Sequence, residues 1–365
     1  MSKGLYVHIP FCKTFCSYCD FPKIIAKDEF KDKYVDRLIE ELNTKKEQLV
    51  DVDTVFIGGG TPNNLNLSQL KRLLEALKPY LDKSVESSIE LNVELITEDL
   101  VELLSKYNIN RVSLGVQTLK EESLKLINRH HNWLDLFNAC KLLTKYNLCN
   151  INVDLMFGIP YTSIEDVKFD LDFVLTLPIT HLSYYSLIVE DKTNLNYKIK
   201  KGIIKCLDDD LIADMYDYIK ARLKEAGFNH YEISNFAKAG FESKHNLKYW
   251  SLDEYIGIGA SSASLINNER IYNSNIKDYF NKFTDYIDKL SINDLKNEFF
   301  MLGFRKVNGV SIKEYIKRFN SNPLEEFNFK KLLDEDLIEI NGDIIKVKED
   351  KLFIANNVFM EFIGD

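Results

Sequence analysis

The sequence predicts an α/β protein in which helices pack outside a parallel sheet, followed by a small α+β domain of winged-helix type. Two patterns predict this. From the N-terminus, six short β-branched or aromatic runs alternate with longer amphipathic stretches, the pattern of strand-then-helix units around a parallel sheet. Toward the C-terminus the order changes to helical stretches and then two short runs around a turn, which suits a hairpin.

The runs Leu5 to Ile9, Thr54 to Ile57, Ser88 to Val93, Arg111 to Val116, Asn150 to Leu155 and His181 to Leu187 read as strands. Between the first two, Tyr34, Leu38, Ile39, Leu42 and Leu49 recur at roughly helical spacing within Phe30 to Leu49, and Leu70 to Leu81 and Leu100 to Tyr107 behave alike. Six such units are compatible with a complete or partial TIM-type barrel, whose ligands sit at the C-terminal ends of the strands. An open doubly wound sheet is the alternative. After about residue 205 come a long helix (Asp208 to Ala226), an aromatic segment to Trp250 and the stretch Ile256-Gly257-Ile258-Gly259-Ala260. A boundary is expected near residue 285. Beyond it, Asn297 to Leu302, Ile312 to Arg318 and Phe329 to Leu333 look helical, and Leu337 to Ile340 and Asp343 to Val347 straddle an Asn341-Gly342 turn of hairpin type.

A chain of 365 residues exceeds what one core of ~150 residues needs, which suggests roughly two domains or a barrel with an appendage. With 45% hydrophobic and 28% charged residues it has the apolar supply of an ordinary globular protein. The net charge of -9 argues against a nucleic-acid backbone as main partner, because phosphate binding needs a concentrated Lys/Arg surface. The N-terminal residues run straight into a strand-like segment with no apolar leader, and no stretch is apolar enough to span a membrane, so a cytoplasmic protein is expected. There thiols stay reduced, and clustered cysteines read as metal ligands or catalytic groups.

Cys12, Cys16 and Cys19 form C-x3-C-x2-C directly after the first strand. One short loop can thus wrap a compact metal centre, and thiolates suit both iron-sulfur clusters and zinc. Three cysteines leave either site one ligand short. Zinc would need His8 as a fourth ligand, whereas an iron-sulfur cubane can leave one iron open to a small molecule; His8 itself reads as a packed strand histidine. Cys140, Cys149 and Cys206 are isolated and read as buried structural thiols.

The second strand ends in Gly58-Gly59-Gly60-Thr61-Pro62. Without Cβ atoms this turn lets backbone approach a ligand closely and suits the ammonium and carboxylate of an amino-acid-like molecule. It is neither a Walker A loop nor G-x-G-x-x-G; alone it is most simply a tight turn. Glu90, Gln117 and Asp154 lie at or near strand ends, where a barrel collects functional side chains.

Together, C-x3-C-x2-C after strand one and GGGTP after strand two resemble the radical-SAM superfamily, which implies a partial (β/α)6 barrel. The strings Tyr6-Val7-His8-Ile9-Pro10-Phe11-Cys12, Arg111-Val112-Ser113-Leu114-Gly115-Val116-Gln117 and Asp154-Leu155-Met156-Phe157-Gly158-Ile159-Pro160 are similar to those of the oxygen-independent coproporphyrinogen III oxidase group. The resemblance implies a 4Fe-4S cluster on Cys12, Cys16 and Cys19 whose open iron chelates the amino and carboxylate groups of S-adenosylmethionine (SAM). It implies further SAM contacts at Tyr6, Tyr18, Gly59, Gly60, Thr61, Glu90, Gln117, Arg129 and Asp154. The implied chemistry is electron transfer from the reduced cluster into SAM, giving methionine and a 5'-deoxyadenosyl radical, with a flavodoxin- or ferredoxin-type donor.

Within this group the chain resembles the heme-chaperone family. Asp20-Phe21 follows Cys19 where the oxidases carry a further cysteine, and the N-terminal extension of the oxidases is absent ahead of the first strand. His245-Asn246-Leu247-Lys248-Tyr249-Trp250 matches that family's H-N-x-x-Y-W heme motif, and Arg129-His130-His131 its R-x-H string. The resemblance implies heme at His245, Asn246, Tyr249 and Trp250, with an imidazole as axial ligand and aromatic rings flanking the porphyrin. Without it, these would read as a capping or hydrogen-bonded histidine and two core aromatics. A heme-acceptor protein is the implied partner, with transient contact to membrane proteins open. The chain departs from the family at Ala263, where a histidine is common, and at Val93, where a proline is usual. The expected segments are 1–205 (barrel), 206–285 (extension carrying the HNxxYW motif) and 286–365 (winged-helix-like domain). An authentic coproporphyrinogen III dehydrogenase, another radical-SAM enzyme and a zinc-stabilised binding module are the alternatives.

Overall fold

The structure is a computed structural model and describes residues 2–363. Six parallel strands form its centre: β1 (Lys3–Ile9), β2 (Val52–Gly59), β3 (Glu86–Asn92), β4 (Arg111–Gln117), β5 (Ile151–Phe157) and β6 (His181–Ser186). Helices connect them on the outside. The helix Leu67–Leu81 shows why: Leu70, Leu73, Leu74, Leu77 and Leu81 make one buried stripe, and Asn66 and Gln69 close a capping box at its start, satisfying otherwise orphaned N–H groups. The helices Trp133–Lys145 and Ile164–Val174 begin with the same device.

The chain beyond β6 extends this sheet at both edges, which the strand count from sequence did not foresee. β7 (Asn229–Glu232) and β8 (Asn235–Ala237) join β6, while β9 (Tyr255–Ile258), β10 (Ala263–Ile266), β11 (Glu269–Asn273) and β12 (Thr284–Lys289) continue from β1. β9 lies parallel to β1, and the outer strands are antiparallel. The order is β12-β11-β10-β9-β1-β2-β3-β4-β5-β6-β8-β7, so the ladder stays open and the barrel is partial. A second, three-stranded sheet combines β13 (Val310–Ser311), β15 (Ile344–Val347) and β14 (Ile338–Asn341). With the helices Ile292–Gly303, Ile312–Phe319 and Lys330–Asp334 it forms the small α+β C-terminal domain, packed around Phe300, Phe304 and Tyr315. The hairpin turn residues are Gly342 and Asp343, one position later than expected, and Gly342 takes the positive φ of 60° that such a turn requires.

Other boundaries moved slightly. The first helix spans Asp28–Thr44 and ends short of Leu49, whose side chain is buried from the following turn. β3 ends at Asn92, and Val93 opens a 3-10 turn. Cys140 is buried, but Cys149 and Cys206 are exposed, because both fall in connecting segments where no second layer covers them.

Period-two alternation divides the parallel strands between two environments. In β4 and β5, Val112, Leu114, Val153 and Leu155 are fully buried in the hydrophobic core, while Ser113, Asn152 and Asp154 turn to the interior and bond one another. His181 continues this inner network through Asn152 (2.6 Å) and Tyr231 (2.8 Å).

The N-terminal mouth of the barrel is plugged by the helix Lys244–Trp250. Glu86, at the start of β3, accepts from the N–H groups of Lys244 (2.9 Å) and His245 (3.0 Å) and from Ser243 Oγ. Lys248 pairs with Asp53 and donates to Ser2 Oγ. A carboxylate on a helix N-terminus is favoured by charge and by hydrogen bonding. Glu86→Ala should lower stability by roughly 3 kcal/mol, since it strands buried donors, measured as a fall in the denaturant midpoint; an unchanged midpoint would show that the plug holds without this cap.

Candidate functional site

A cavity of about 410 Å³ opens at the C-terminal ends of the central strands. Its upper wall is the loop after β1, which carries Cys12, Cys16 and Cys19. Backbone bonds fix that loop at several points: Cys12 N–H to Ile24, Ser17 N–H to Ile127, and Leu195 N–H to Ser17. Ser17 Oγ donates to Leu126, and Asn128 holds the Phe15 carbonyl. The thiols are therefore placed by the rest of the barrel.

Among the described residues no three His, Cys, Asp or Glu side chains converge closely enough to hold a single metal ion. Three thiols at one end of a cavity can hold three corners of a polynuclear cluster and leave its fourth open to a ligand, whereas a structural zinc would need a fourth protein ligand. His8 does not complete a zinc site either. Its Nδ1 meets Tyr6 Oη (2.9 Å) and its Nε2 the Pro22 carbonyl (3.1 Å). The donor set thus fits an iron-sulfur cluster. Burial pushes the Cys12 and Cys16 thiols up from their ordinary value, with the Thr61 hydroxyl opposing this at Cys12 and the Arg129 guanidinium opposing it at Cys16.

The floor of the cavity comes from strand ends. Gly59 has φ +113° and its N–H donates to Glu90 Oε2 (2.9 Å). A Cβ on Gly60 would stand 2.9 Å from the Ile9 carbonyl oxygen, so only glycine lets β1 and β2 approach here. Gln117 ends β4 with φ +69°, at a register shift against β5, a strained conformation for a residue with a side chain. Asp154 accepts from Ser113 (2.8 Å) and Asn152 (2.8 Å); burial holds its pKa above the usual carboxylate range. Burial, then the nearby Asp154, raises the Glu90 pKa to about 7.

Cys12, Cys16, Cys19, Tyr18, Gly59, Gly60, Thr61, Glu90, Gln117, Arg129 and Asp154 all line this one cavity. Sequence reasoning passed over Asn92 and Tyr185, which line it too. Asn92 holds Arg129 Nη1 at 2.9 Å and so helps set the guanidinium beside Cys16. Its signal was available: it stands two residues after Glu90 on the same strand face.

Tyr6 lies elsewhere. It faces the barrel lumen below, a space of about 180 Å³ reached past Glu90, Asp154 and Tyr185. Asn246 and Tyr249 border the same lumen from the plug helix. Beyond Tyr6 and Tyr249 a third cavity of about 500 Å³ opens between the barrel and the C-terminal domain. Trp250, Leu252, Ala263, Leu265, Met301 and Leu302 line it. The HNxxYW residues are thus at the end of the barrel opposite the cysteines. His245 borders none of these three cavities: it is 1% exposed, its ring stacks on Phe56, and it bonds Thr54 through Nδ1 (2.9 Å) and Tyr249 through Nε2 (2.8 Å). Burial lowers its pKa to about 3, so the imidazole is neutral.

Comparison with known proteins places these features in context. Residues 6–174 match the radical SAM superfamily, and residues 290–350 match the HemN C-terminal domain. The "Heme chaperone HemW" of Lactococcus lactis is 35% identical over 99% of this chain and 97% of its own length. That of Bacillus subtilis is 35% identical over the full length of both. Coproporphyrinogen III oxidase (HemN) from Escherichia coli superposes with a TM-score of 0.86 at 22% identity, covering 99% of this chain and 90% of the oxidase, which is a likeness of fold.

Glu90 gives a test of the cavity's electrostatics. Its pKa is raised from 4.5 to about 7 on folding, so the folded chain binds the proton more tightly than the unfolded one. The stabilisation is complete below pH 4.5 and is lost as pH rises toward 7. A shift of this size corresponds to roughly 3 kcal/mol. Glu90→Gln should therefore become more stable relative to wild type across that window, read as a difference in denaturant midpoint against pH; a difference that stays flat would show that Glu90 ionises freely.

Proposed function

Because this chain belongs to the radical SAM superfamily and, within it, to the heme chaperone HemW family, we propose that it binds heme and hands it to acceptor proteins. The observation that carries this reading is the groove of about 500 Å³ beside Tyr249 and Trp250. A cavity of this size, walled by aromatic, leucine and methionine side chains with a few polar groups, is of the kind that takes a cofactor-sized ligand. Heme is cargo on this reading, held away from the cysteine loop.

At the other end, Cys12, Cys16 and Cys19 would hold the cluster, and Arg129 would offset the charge of its thiolates. Gly59, Gly60 and Thr61 would cradle the amino-acid end of SAM, with Tyr18, Glu90, Gln117 and Asp154 around the remainder of the molecule. Tyr6, seated deeper in the lumen, would act on that site through His8. When bound, cluster and SAM supply one-electron chemistry, and a flavodoxin- or ferredoxin-type protein would deliver the electron. The loop bonds to Ile24, Ile127 and Leu126 keep the thiols in place. The helices over the strands exclude water from the outer side of the site.

Residues 1–205 would carry the cluster, residues 206–285 the heme helix, and residues 286–365 the far wall of the groove. Among the described residues no helix is long and apolar enough to cross a membrane; we place the protein in the cytoplasm, in transient contact with membrane proteins.

Anaerobic reconstitution with iron and sulfide tests the cluster end. Cys12→Ala, Cys16→Ala and Cys19→Ala should each lower bound iron by at least about 10-fold, given that even supporting groups of metal sites act on that scale. Full iron retention in all three would refute the assignment. For the heme end, the hemin-loaded chain should restore activity to an apo-hemoprotein. Decarboxylation of coproporphyrinogen III by the reduced, SAM-supplied chain would instead make it an oxidase.

A further inference from the structure

The loops after β1 and β6, residues 10–27 and 187–208, meet at the C-terminal end of the barrel, where Leu195 N–H donates to the Ser17 carbonyl at 2.8 Å. Ser17 stands between Cys16 and Cys19, so the second loop is fastened to the cysteine loop itself. In a chain whose net charge is -9, these two loops carry eight lysines against four acidic residues. One of those acids, Asp191, is engaged by Lys200 at 3.0 Å and by the Asn196 amide at 2.8 Å. Lys13, Lys27, Lys192, Lys201 and Lys205 stand exposed.

The same loops expose apolar side chains. Phe15, Phe21, Ile25, Ile188, Tyr197 and Ile203 are each between 43% and 67% exposed. A single exposed apolar residue needs no explanation, but a group of them on two joined loops, set among like charges, marks a docking surface. Lys23 links this surface to the site. Its Nζ donates to the Cys19 carbonyl at 2.6 Å and to the Phe21 carbonyl at 3.2 Å, lies 5.7 Å from the centroid of the Phe15 ring, and borders the cavity that the three thiols line. The exposed rings of Phe15 and Phe21 thus lie beside the cysteines, where an electron from outside has a short path inward. An anionic membrane would also suit lysines and aromatic rings, but it has no electron to give.

Resting on the reading of the three cysteines as holders of a reducible cluster, we propose that the joined loops after β1 and β6 are the docking surface for an acidic one-electron carrier protein, of flavin or iron-sulfur type. The lysines steer the carrier by charge, and the apolar side chains hold it briefly with its redox centre over the cysteine loop. The acidic remainder of the chain repels the same carrier, so that it arrives in one orientation. Encounters between electron-transfer partners are small and transient, and charge acts on their rate of association more than on their affinity. One electron leaves the carrier and reduces the cluster by one, and no group is transferred.

The test mixes the full, cluster-loaded chain, without oxygen, with a purified acidic flavodoxin or an acidic ferredoxin, each reduced beforehand, and follows cluster reduction by freeze-quench EPR. The second-order rate constant should fall as salt is raised. Lys13→Glu/Lys201→Glu/Lys205→Glu should lower it at least ~10-fold at low salt and flatten its salt dependence. Lys313→Glu/Lys317→Glu/Lys330→Glu, on exposed lysines of the C-terminal domain, makes the same change in net charge and should leave the rate close to wild type. Bound iron, and the EPR signal after exhaustive reduction with dithionite, should match wild type in both variants. Equal rates in the two variants would overturn the proposal. So would an unchanged carrier rate in the first variant together with lost binding to phosphatidylglycerol vesicles, which would assign the surface to lipid. The salt series needs no variant: a wild-type rate insensitive to salt overturns the docking surface alone. A chain that forms no cluster on reconstitution would instead overturn the reading on which the proposal rests, and a well-formed cluster that both carriers leave oxidised would overturn the proposal together with the choice of donor.

Discussion

A barrel with a polar interior persists only where its inward side chains satisfy one another, since each buried polar group left without a partner costs about 1–3 kcal/mol. Here Ser113, Asn152, Asp154, His181, Ser183 and Tyr231 form one bonded set across β4, β5, β6 and β7. That set keeps the lumen from being filled by branched apolar residues, as a packed TIM barrel would be. The interior therefore stays open as a chain of spaces running from the cysteine loop to the groove under the C-terminal domain, with Glu90, Asp154 and Tyr185 at one neck and Tyr6 and Tyr249 at the other. The plug helix depends on the same principle, because Glu86 accepts its N-terminal N–H groups from inside the barrel.

The central fold was legible because each of the six parallel strands is short, rich in β-branched or aromatic residues and followed by an amphipathic helix, so local pattern and tertiary environment agree. The cysteine triad and the glycine turn were legible for a different reason: their residue types are costly or unusual unless chemistry needs them. Strands β7 to β12 were not. They are three to six residues long, several are half-exposed, and their place in the sheet is fixed by pairing with strands far away in sequence, which no local period records. The site residues at strand ends were found through strand ends, but Asn92 was missed because its role is to hold another side chain, Arg129.

His245 shows the limit of reading a motif by residue type. The residues alone read as a hydrogen-bonded histidine beside core aromatics and only the family resemblance implied an axial ligand, while nothing in the sequence reveals that Thr54, nearly two hundred positions away, holds the ring's other nitrogen. The lone alanine at position 263 carries more information once seen lining the groove beside Trp250. There a short side chain leaves room against the C-terminal domain.

The pairing of β1 with β9 also bears on how the protein is made. β1 lies between β2 and β9, so its second neighbour is synthesised only when residues 255–258 emerge. The plug helix that touches the starts of β1, β2 and β3 comes almost as late. At an elongation rate of ~5–20 residues per second, the cysteine loop is complete many seconds before the strand that anchors it is fully paired. Non-local pairing of this kind is slow to form. The thiols therefore leave the ribosome well before the last partner of the strand that leads into their loop, although the bonds that hold the loop itself come from residues made earlier.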